Sequence, residues 1–60
     1  MTFRDIETIL KNDGWYFDSA TGSHFKYKHP KKKGSVTVPN HKGDIRKGTV
    51  NSIFKQAGLK

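Results

Sequence analysis

Three short segments of alternating apolar and polar residues, placed between two segments of helical periodicity, most constrain the fold of this chain. The alternating segments are residues 15–19, 24–29 and 35–38, and each connection between them contains a glycine. Alternation with period two is typical of half-buried strands, and connections this short join neighbouring antiparallel strands. The sequence therefore predicts a three-stranded antiparallel meander.

A helix is predicted before the meander from its capping signals. Thr2 and Asp5 have the spacing of a capping box, and apolar residues follow at helical intervals. Gly14 has the position of the left-handed residue that commonly ends a helix. These signals predict a helix over residues 3–12, followed directly by the first strand.

A second helix is predicted after the meander. Thr49 opens an apolar pattern with spacing i, i+3, i+4, i+7, and Gly58 stops it. The predicted order is α-β-β-β-α, a single α+β domain over residues 1–60. Both helices are expected on one face of the antiparallel sheet, because the alternation gathers the aromatic and valine side chains there. The opposite face would then be free for binding.

The alternation assigns each strand residue to one of the two sheet faces. The face toward the helices receives the large apolar residues Trp15, Phe17, Phe25, Tyr27, Val36 and Val38. The other face receives Tyr16, Asp18, His24, Lys26, Lys28, Ser35 and Thr37. If Phe17 or Phe25 were exposed and Lys26 buried, this register would be wrong by one residue.

Composition indicates the chemistry of the binding partner. The 60 residues contain 12 Lys and Arg against five Asp and Glu, a formal net charge of +7 at pH 7, which indicates a polyanion such as nucleic acid. There is no cysteine, and the longest apolar run is three residues. Neither a disulfide framework, a signal peptide nor a membrane span is expected. We expect a soluble, cytoplasmic protein.

His24 is the strongest candidate for chemistry on the polar face, where Lys26 and Lys28 are its neighbours on the same strand. A ribonuclease without a metal needs a base to take the proton of a ribose 2′-hydroxyl, and positive charge where the phosphorane forms. These three side chains supply both kinds of group. The alternative is an ordinary exposed histidine at the start of a strand, which the residues alone favour.

Five further residues are candidates for RNA binding: Tyr16, Lys31, Lys32, Lys33 and Lys47. The lysine triplet forms the tip of the second hairpin, where it could contact phosphates or keep the turn soluble. The tyrosine could stack on one base or merely cover the sheet. Lys47 precedes the second helix, whose N-terminus favours the binding of a phosphate. A helix cap made by Thr49 is the alternative explanation of the Lys47-Gly48-Thr49 motif.

The two remaining histidines are expected to be structural. His29 lies on the core-facing side of its strand, beside the turn, and a structural hydrogen bond is the favoured role. His41 lies in the loop before the second helix, where it either approaches the site or caps a backbone group. The spacings of the three histidines match no metal-ligand pattern, so neither a metal site nor another cofactor is expected.

A series of short motifs occurs along nearly the whole chain: Asp13-Gly14-Trp15, Gly22-Ser23-His24, Lys28-His29-Pro30, Val36-Thr37-Val38-Pro39, His41, Lys47-Gly48-Thr49 and Ile53-Phe54-Lys55-Gln56-Ala57-Gly58-Leu59. In order and spacing they resemble the HicA-type toxins of bacterial type II toxin–antitoxin systems. Those toxins are small mRNA interferases with a fold like the double-stranded RNA-binding domain.

This resemblance implies that His24 cleaves mRNA, which would inhibit translation and growth. It also implies a HicB-type antitoxin that covers the active site. The family often has a second histidine where this chain has Phe25, and a proline where it has Arg46. If Phe25 points into the core, as the alternation predicts, the first difference leaves the site intact.

Two other functions stay open at this point. A non-catalytic double-stranded RNA-binding module of the same fold would contact phosphates and 2′-hydroxyls through its lysines. A DNA-binding module is less favoured, because the second helix presents few base-contacting polar residues and no paired helix precedes it. For the ribonuclease, the acid that protonates the leaving 5′-oxygen is also open, with Lys28, Tyr16 and water as candidates.

Overall fold

The computed structural model describes all 60 residues and contains two helices and one sheet. Helix α1 spans Phe3–Asn12, strand β1 Tyr16–Thr21, β2 His24–Lys28, β3 Ser35–Pro39, and helix α2 Lys47–Gln56. The strands form an antiparallel meander in the order β1-β2-β3. Neither helix is long and apolar enough to cross a membrane. The predicted α+β class and order of elements are confirmed.

Helix α1 begins and ends as its local signals predict. The Thr2 hydroxyl accepts a hydrogen bond from the Asp5 N–H, and the Asp5 carboxylate accepts one from the Thr2 N–H. This capping box holds the pKa of the Asp5 carboxyl below its usual value. At the other end Gly14 has a φ of +102°, and the Trp15 N–H donates to the Leu10 carbonyl oxygen at 3.0 Å. This Schellman motif directs Trp15 into the core.

The core lies between the two helices and one face of the sheet. Ten residues are buried: Ile6, Leu10, Trp15, Tyr27, Val36, Val38, Ile45, Val50, Ile53 and Ala57. Because alternate residues of β2 and β3 pack with residues of both helices in one cluster, α1 and α2 cover the same face, as predicted. The Tyr27 hydroxyl donates to the Glu7 carboxylate of α1. Burial, together with this hydrogen bond, raises the pKa of Tyr27.

Phe17 departs from the predicted core. It pairs with Tyr27 and faces the same side, but its exposed fraction is 47%. The register is correct, because Lys26 is exposed and Tyr27 is buried. The helices do not cover this strand: β1 is an edge strand, all six of its residues are exposed, and the helices contact the sheet mainly at β3. The ring of Phe17 packs instead against that of Phe25, 5.4 Å between centroids.

The first hairpin has a longer strand and a tighter turn than the alternation predicts. Strand β1 continues to Thr21, and the two residues Gly22-Ser23 join it to β2. Gly22 has a φ of +59°, a positive value of the kind required at the first position of a type II′ turn. Between Phe17 and Ser19 the register shifts, so that Asp18 is the extra residue of a β-bulge. The alternation gave no prediction of this bulge.

Helix α2 begins two residues earlier than predicted. Its first residue is Lys47, and the residue before it makes no capping hydrogen bond through its side chain. The Thr49 cap, which was one of two alternatives for this motif, is therefore absent, since Thr49 lies inside the first turn. Ile45, buried just before the helix, anchors its start instead. The predicted stop is confirmed: Gly58 has a φ of +72°, and the next N–H donates to the Phe54 carbonyl oxygen at 2.8 Å.

Candidate functional site

The sheet face opposite the helices is accessible along all three strands. We call it the open face; its members are Tyr16, Asp18, Ser19, Thr21, His24, Lys26, Lys28, Ser35 and Thr37. All of these residues are exposed. The polar face predicted from the alternation is therefore exposed as expected.

The central strand β2 places three basic side chains in a row on the open face. His24, Lys26 and Lys28 alternate with Phe25 and Tyr27, which point toward the helices. Successive members of the row lie about 7 Å apart along a strand. The row joins an imidazole, the side-chain type that exchanges a proton near neutral pH, to two fixed positive charges.

His24 is the first residue of β2, and it lies at the edge of the sheet where β1 and β3 end. It forms backbone pairs with Thr21 of β1 and Pro39 of β3. The chain leaving β3 is held there, because the Asn40 N–H donates to the Ser23 carbonyl oxygen at 2.7 Å. The backbone around His24 is thus fixed on both sides, while its imidazole is accessible to solvent.

Strand β1 borders the other end of the row. Lys28 forms a backbone pair with Tyr16, whose side chain is half exposed. The Lys28 ammonium lies 3.9 Å from Oδ1 of Asp18. The other carboxylate oxygen of Asp18 accepts a hydrogen bond from the Ser19 hydroxyl at 3.2 Å. The structure therefore groups Tyr16, Asp18 and Lys28 at this end of the open face.

The fold divides the lysine triplet. Lys31 and Lys33 are exposed in the β2–β3 loop. The Lys32 ammonium donates to Oδ2 of Asp13 at 2.5 Å and to the Ala57 carbonyl oxygen at 3.0 Å. It holds the pKa of the Asp13 carboxyl below its usual value. Lys32 therefore makes structural contacts. The ammonium groups of Lys31 and Lys33 make no such contacts.

The other histidines occupy different environments. The structural hydrogen bond predicted for His29 is confirmed: its Nδ1 accepts from the N–H groups of Lys31 and Lys32, so Nε2 carries the proton and donates to the Asp13 carbonyl oxygen at 2.7 Å. His41 is exposed in the loop after β3, at the end of the sheet where β2 begins. It makes no capping hydrogen bond that would explain its position.

Lys47, the last predicted contact, lies in the helical layer as the first residue of α2. The structure does not bring it onto the open face with His24 and Lys26. No three His, Cys, Asp or Glu side chains lie close enough together to hold a metal ion. The functional groups of the open face are one imidazole, two ammonium groups, several hydroxyls and the carboxylate of Asp18.

A protein family matches the chain in sequence. Its sequence profile, described as the HicA toxin of bacterial toxin–antitoxin systems, matches residues 3–59. The chain belongs to the HicA toxin family. A HicA protein is the toxin of a toxin–antitoxin pair, so a cognate antitoxin is its partner. No curated protein matches the chain over its sequence.

Phe25 and Arg46 stand where the resemblance implied a histidine and a proline. Phe25 is half-buried on the face toward the helices, and its ring meets that of Phe3 edge to face, 5.3 Å between centroids. It points into the core as predicted and leaves the open face undisturbed. Arg46 is the N-cap of α2 and is exposed.

Sequence reasoning missed two features in and near the candidate site. The bulge at Asp18 leaves only a weak signal, which is the loss of apolar alternation after Phe17. The structural role of Lys32 leaves none, because its partner Asp13 lies 19 positions away. Both features depend on contacts between elements, which periodicity does not record.

Proposed function

We propose that this protein is a metal-independent ribonuclease toxin that cleaves mRNA on its open face, with His24 as the general base. The observation that carries the proposal is the exposed row of His24, Lys26 and Lys28 on the central strand. Membership in the HicA toxin family supports a toxic activity. The net charge of +7 supports a polyanionic substrate.

Cleavage begins at the ribose next to the scissile phosphate. The neutral imidazole of His24 takes the proton of the 2′-hydroxyl, and the oxygen attacks the adjacent phosphorus. The ammonium groups of Lys26 and Lys28 stabilise the negative charge that develops on the phosphorane. The bond from phosphorus to the 5′-oxygen then breaks, and that oxygen takes a proton from Lys28, Tyr16 or water. The products are a 2′,3′-cyclic phosphate and a 5′-hydroxyl.

Single-stranded RNA lies along the open face and extends past its Lys28 end. Tyr16 offers a half-exposed ring on which one base can stack. Lys31 and Lys33 carry positive charge into the loop beyond the strand, where they contact phosphates without selecting a sequence. Lys32 and Lys47 add to the positive potential of the molecule, but neither presents an ammonium on the open face.

The cognate antitoxin in this proposal is a HicB-type protein that covers the open face in the cytoplasm. An acidic surface would complement the basic row, and association driven by such charges is fast and sensitive to salt. Titration of a HicB-like protein encoded beside the toxin should therefore give a complex at low ionic strength. Failure to form any complex at low ionic strength would exclude this partner.

The experiment that tests the activity is incubation with a labelled single-stranded RNA in EDTA. Wild-type protein and Lys55→Gln, a control at an exposed position on α2 in the helical layer, should cleave the RNA. His24→Gln should lose activity by at least about 100-fold, the usual contribution of a general base. Thermal unfolding of each variant establishes that the fold is retained. Binding without cleavage by all three proteins would instead indicate a non-catalytic double-stranded RNA-binding module.

A further inference from the structure

The β-bulge in β1 places a carboxylate between two lysines of the open face. Tyr16 pairs with Lys28, and Ser19 pairs with Lys26. Asp18, between these two residues of β1, therefore lies beside the stretch of β2 that separates the two lysines. Its Oδ1 is 3.9 Å from the Lys28 ammonium. The Lys28 ammonium is therefore paired with a residue that lies nearer to Lys26 along the strand than its own backbone partner Tyr16 does.

Asp18 is the one acidic residue that contacts a lysine of the open face. The other four make contacts elsewhere: Asp5 in the α1 cap, Glu7 with Tyr27 and Lys11, Asp13 with Lys32, and Asp44 with the amino terminus. A carboxylate beside a phosphate-binding row weakens the attraction for RNA. Its contact with Lys28 is the feature that can offset this repulsion.

The spacing of the row explains why Lys28 needs to be held. His24 and Lys28 are four residues apart, about 13 Å along a strand. A single phosphodiester group is much smaller than this separation. A Lys28 side chain that stood straight out from the sheet would reach a different phosphate from the one beside His24. An ammonium held at the level of Asp18 lies nearer to the imidazole than one held at the level of Tyr16.

We propose that Asp18 is a positioning residue that holds the Lys28 ammonium toward His24, so that both groups act on one phosphodiester. This inference rests on the proposed ribonuclease function. Asp18 does not contact the substrate in this scheme; it acts through Lys28. The Lys28 side chain is 49% exposed and the Asp18 side chain 33%, so this is a surface ion pair, and its effect on Lys28 is expected to be modest.

Two local features hold Asp18 in place. The Ser19 hydroxyl donates to its Oδ2 at 3.2 Å, which leaves Oδ1 directed to Lys28. The bulge itself bends the strand at this residue and leaves it without a partner on β2. Bulges are common beside active sites, where they redirect a side chain.

The test is a double-mutant cycle of Asp18→Asn and Lys28→Met, with kcat and KM measured for RNA cleavage. Asn keeps the shape of the side chain and removes its charge. Asp18→Asn should lower kcat about two- to fivefold, as expected for one exposed ion pair, without raising KM. In the Lys28→Met background the same change should leave kcat unaltered, because the group that Asp18 positions is gone. Asp18→Glu should restore part of the lost kcat.

Asp44→Asn is the matched control, because Asp44 is exposed and pairs only with the amino terminus. It should change neither parameter. An unchanged kcat with a lower KM in Asp18→Asn would overturn the positioning role and leave only charge repulsion. Equal losses of kcat with and without Lys28 would overturn it as well, in favour of a structural role. Absence of cleavage by the wild-type protein would instead refute the proposed function, and this inference with it.

Discussion

The ammonium of Lys32 lies 2.5 Å from Oδ2 of Asp13 and also donates to the Ala57 carbonyl oxygen. Asp13 is the C-cap of α1, and Ala57 is the C-cap of α2. A single lysine of the β2–β3 loop therefore joins the carboxyl ends of both helices to one end of the sheet. Its positive charge also interacts favourably with the negative ends of two helix dipoles.

Replacing Lys32 by Met should lower the melting temperature, because the contacts to both helix ends are lost. Lys31→Met is the matched control: its side chain is exposed, and we expect stability within about 0.5 kcal/mol of the wild type. Thermal unfolding followed by circular dichroism compares the two variants. Equal losses in both would show that the contacts of Lys32 do not stabilise the fold.

The same ion pair predicts a pH dependence. The Lys32 ammonium lowers the pKa of Asp13 from its ordinary value of 3.8. A carboxyl whose pKa is lower in the folded state stabilises the fold above the unfolded-state pKa, and this contribution disappears as the pH falls through the folded-state value. The stability difference between wild type and Lys32→Met should thus be constant above about pH 5 and shrink below pH 3.8. A difference that grew toward acid pH would contradict the pairing.

Gly14→Ala should destabilise the protein more than Gly22→Ala. Both glycines have positive φ, but a Cβ on Gly14 would lie 2.7 Å from Nε2 of His29, whereas a Cβ on Gly22 would meet nothing within 4 Å. The His29 ring is held by hydrogen bonds at both nitrogens. Urea denaturation should show that Gly22→Ala lowers the free energy of unfolding by about 1–2 kcal/mol, because alanine disfavours the left-handed backbone conformation. The decrease should be larger for Gly14→Ala. Similar losses would mean that the ring moves aside freely.

Cleavage should require a 2′-hydroxyl at the cut site. An RNA with one 2′-deoxy residue there should bind with unchanged affinity and resist cleavage at that position, because the nucleophile is missing. The products from unmodified RNA should carry a 2′,3′-cyclic phosphate and a 5′-hydroxyl, which end-labelling distinguishes. A 5′-phosphate on the downstream fragment would show that water, rather than the ribose, attacks the phosphorus.

The parts of the fold that depend on near neighbours in sequence were predictable. The capping box at Thr2 and the Schellman motif at Gly14 each involve residues within one or two helical turns, and the structure has both. The exposure of His24 and Lys26 followed from alternation along a strand with a clear apolar face. Their roles in catalysis stay a prediction, which the cleavage experiment decides.

Phe17 and Lys32 show what the pattern could not predict. Alternation assigns Phe17 to a face, but whether a helix covers that part of the face depends on packing, and a ten-residue helix is only about 15 Å long. Lys32 is equivalent to its two neighbours in the sequence. Its role depends on Asp13, which tertiary structure alone brings near.

The central position of β2 has a consequence for how the protein meets RNA. β2 has hydrogen-bonded neighbours on both sides, so its amides should be among the slowest in the molecule to exchange with deuterium. The side chains of His24, Lys26 and Lys28 are exposed to water, yet the backbone that carries them is hydrogen-bonded to a strand on each side. Their spacing therefore persists when helix ends fray. A ligand that binds there does not have to order the backbone, and little conformational entropy is lost on association.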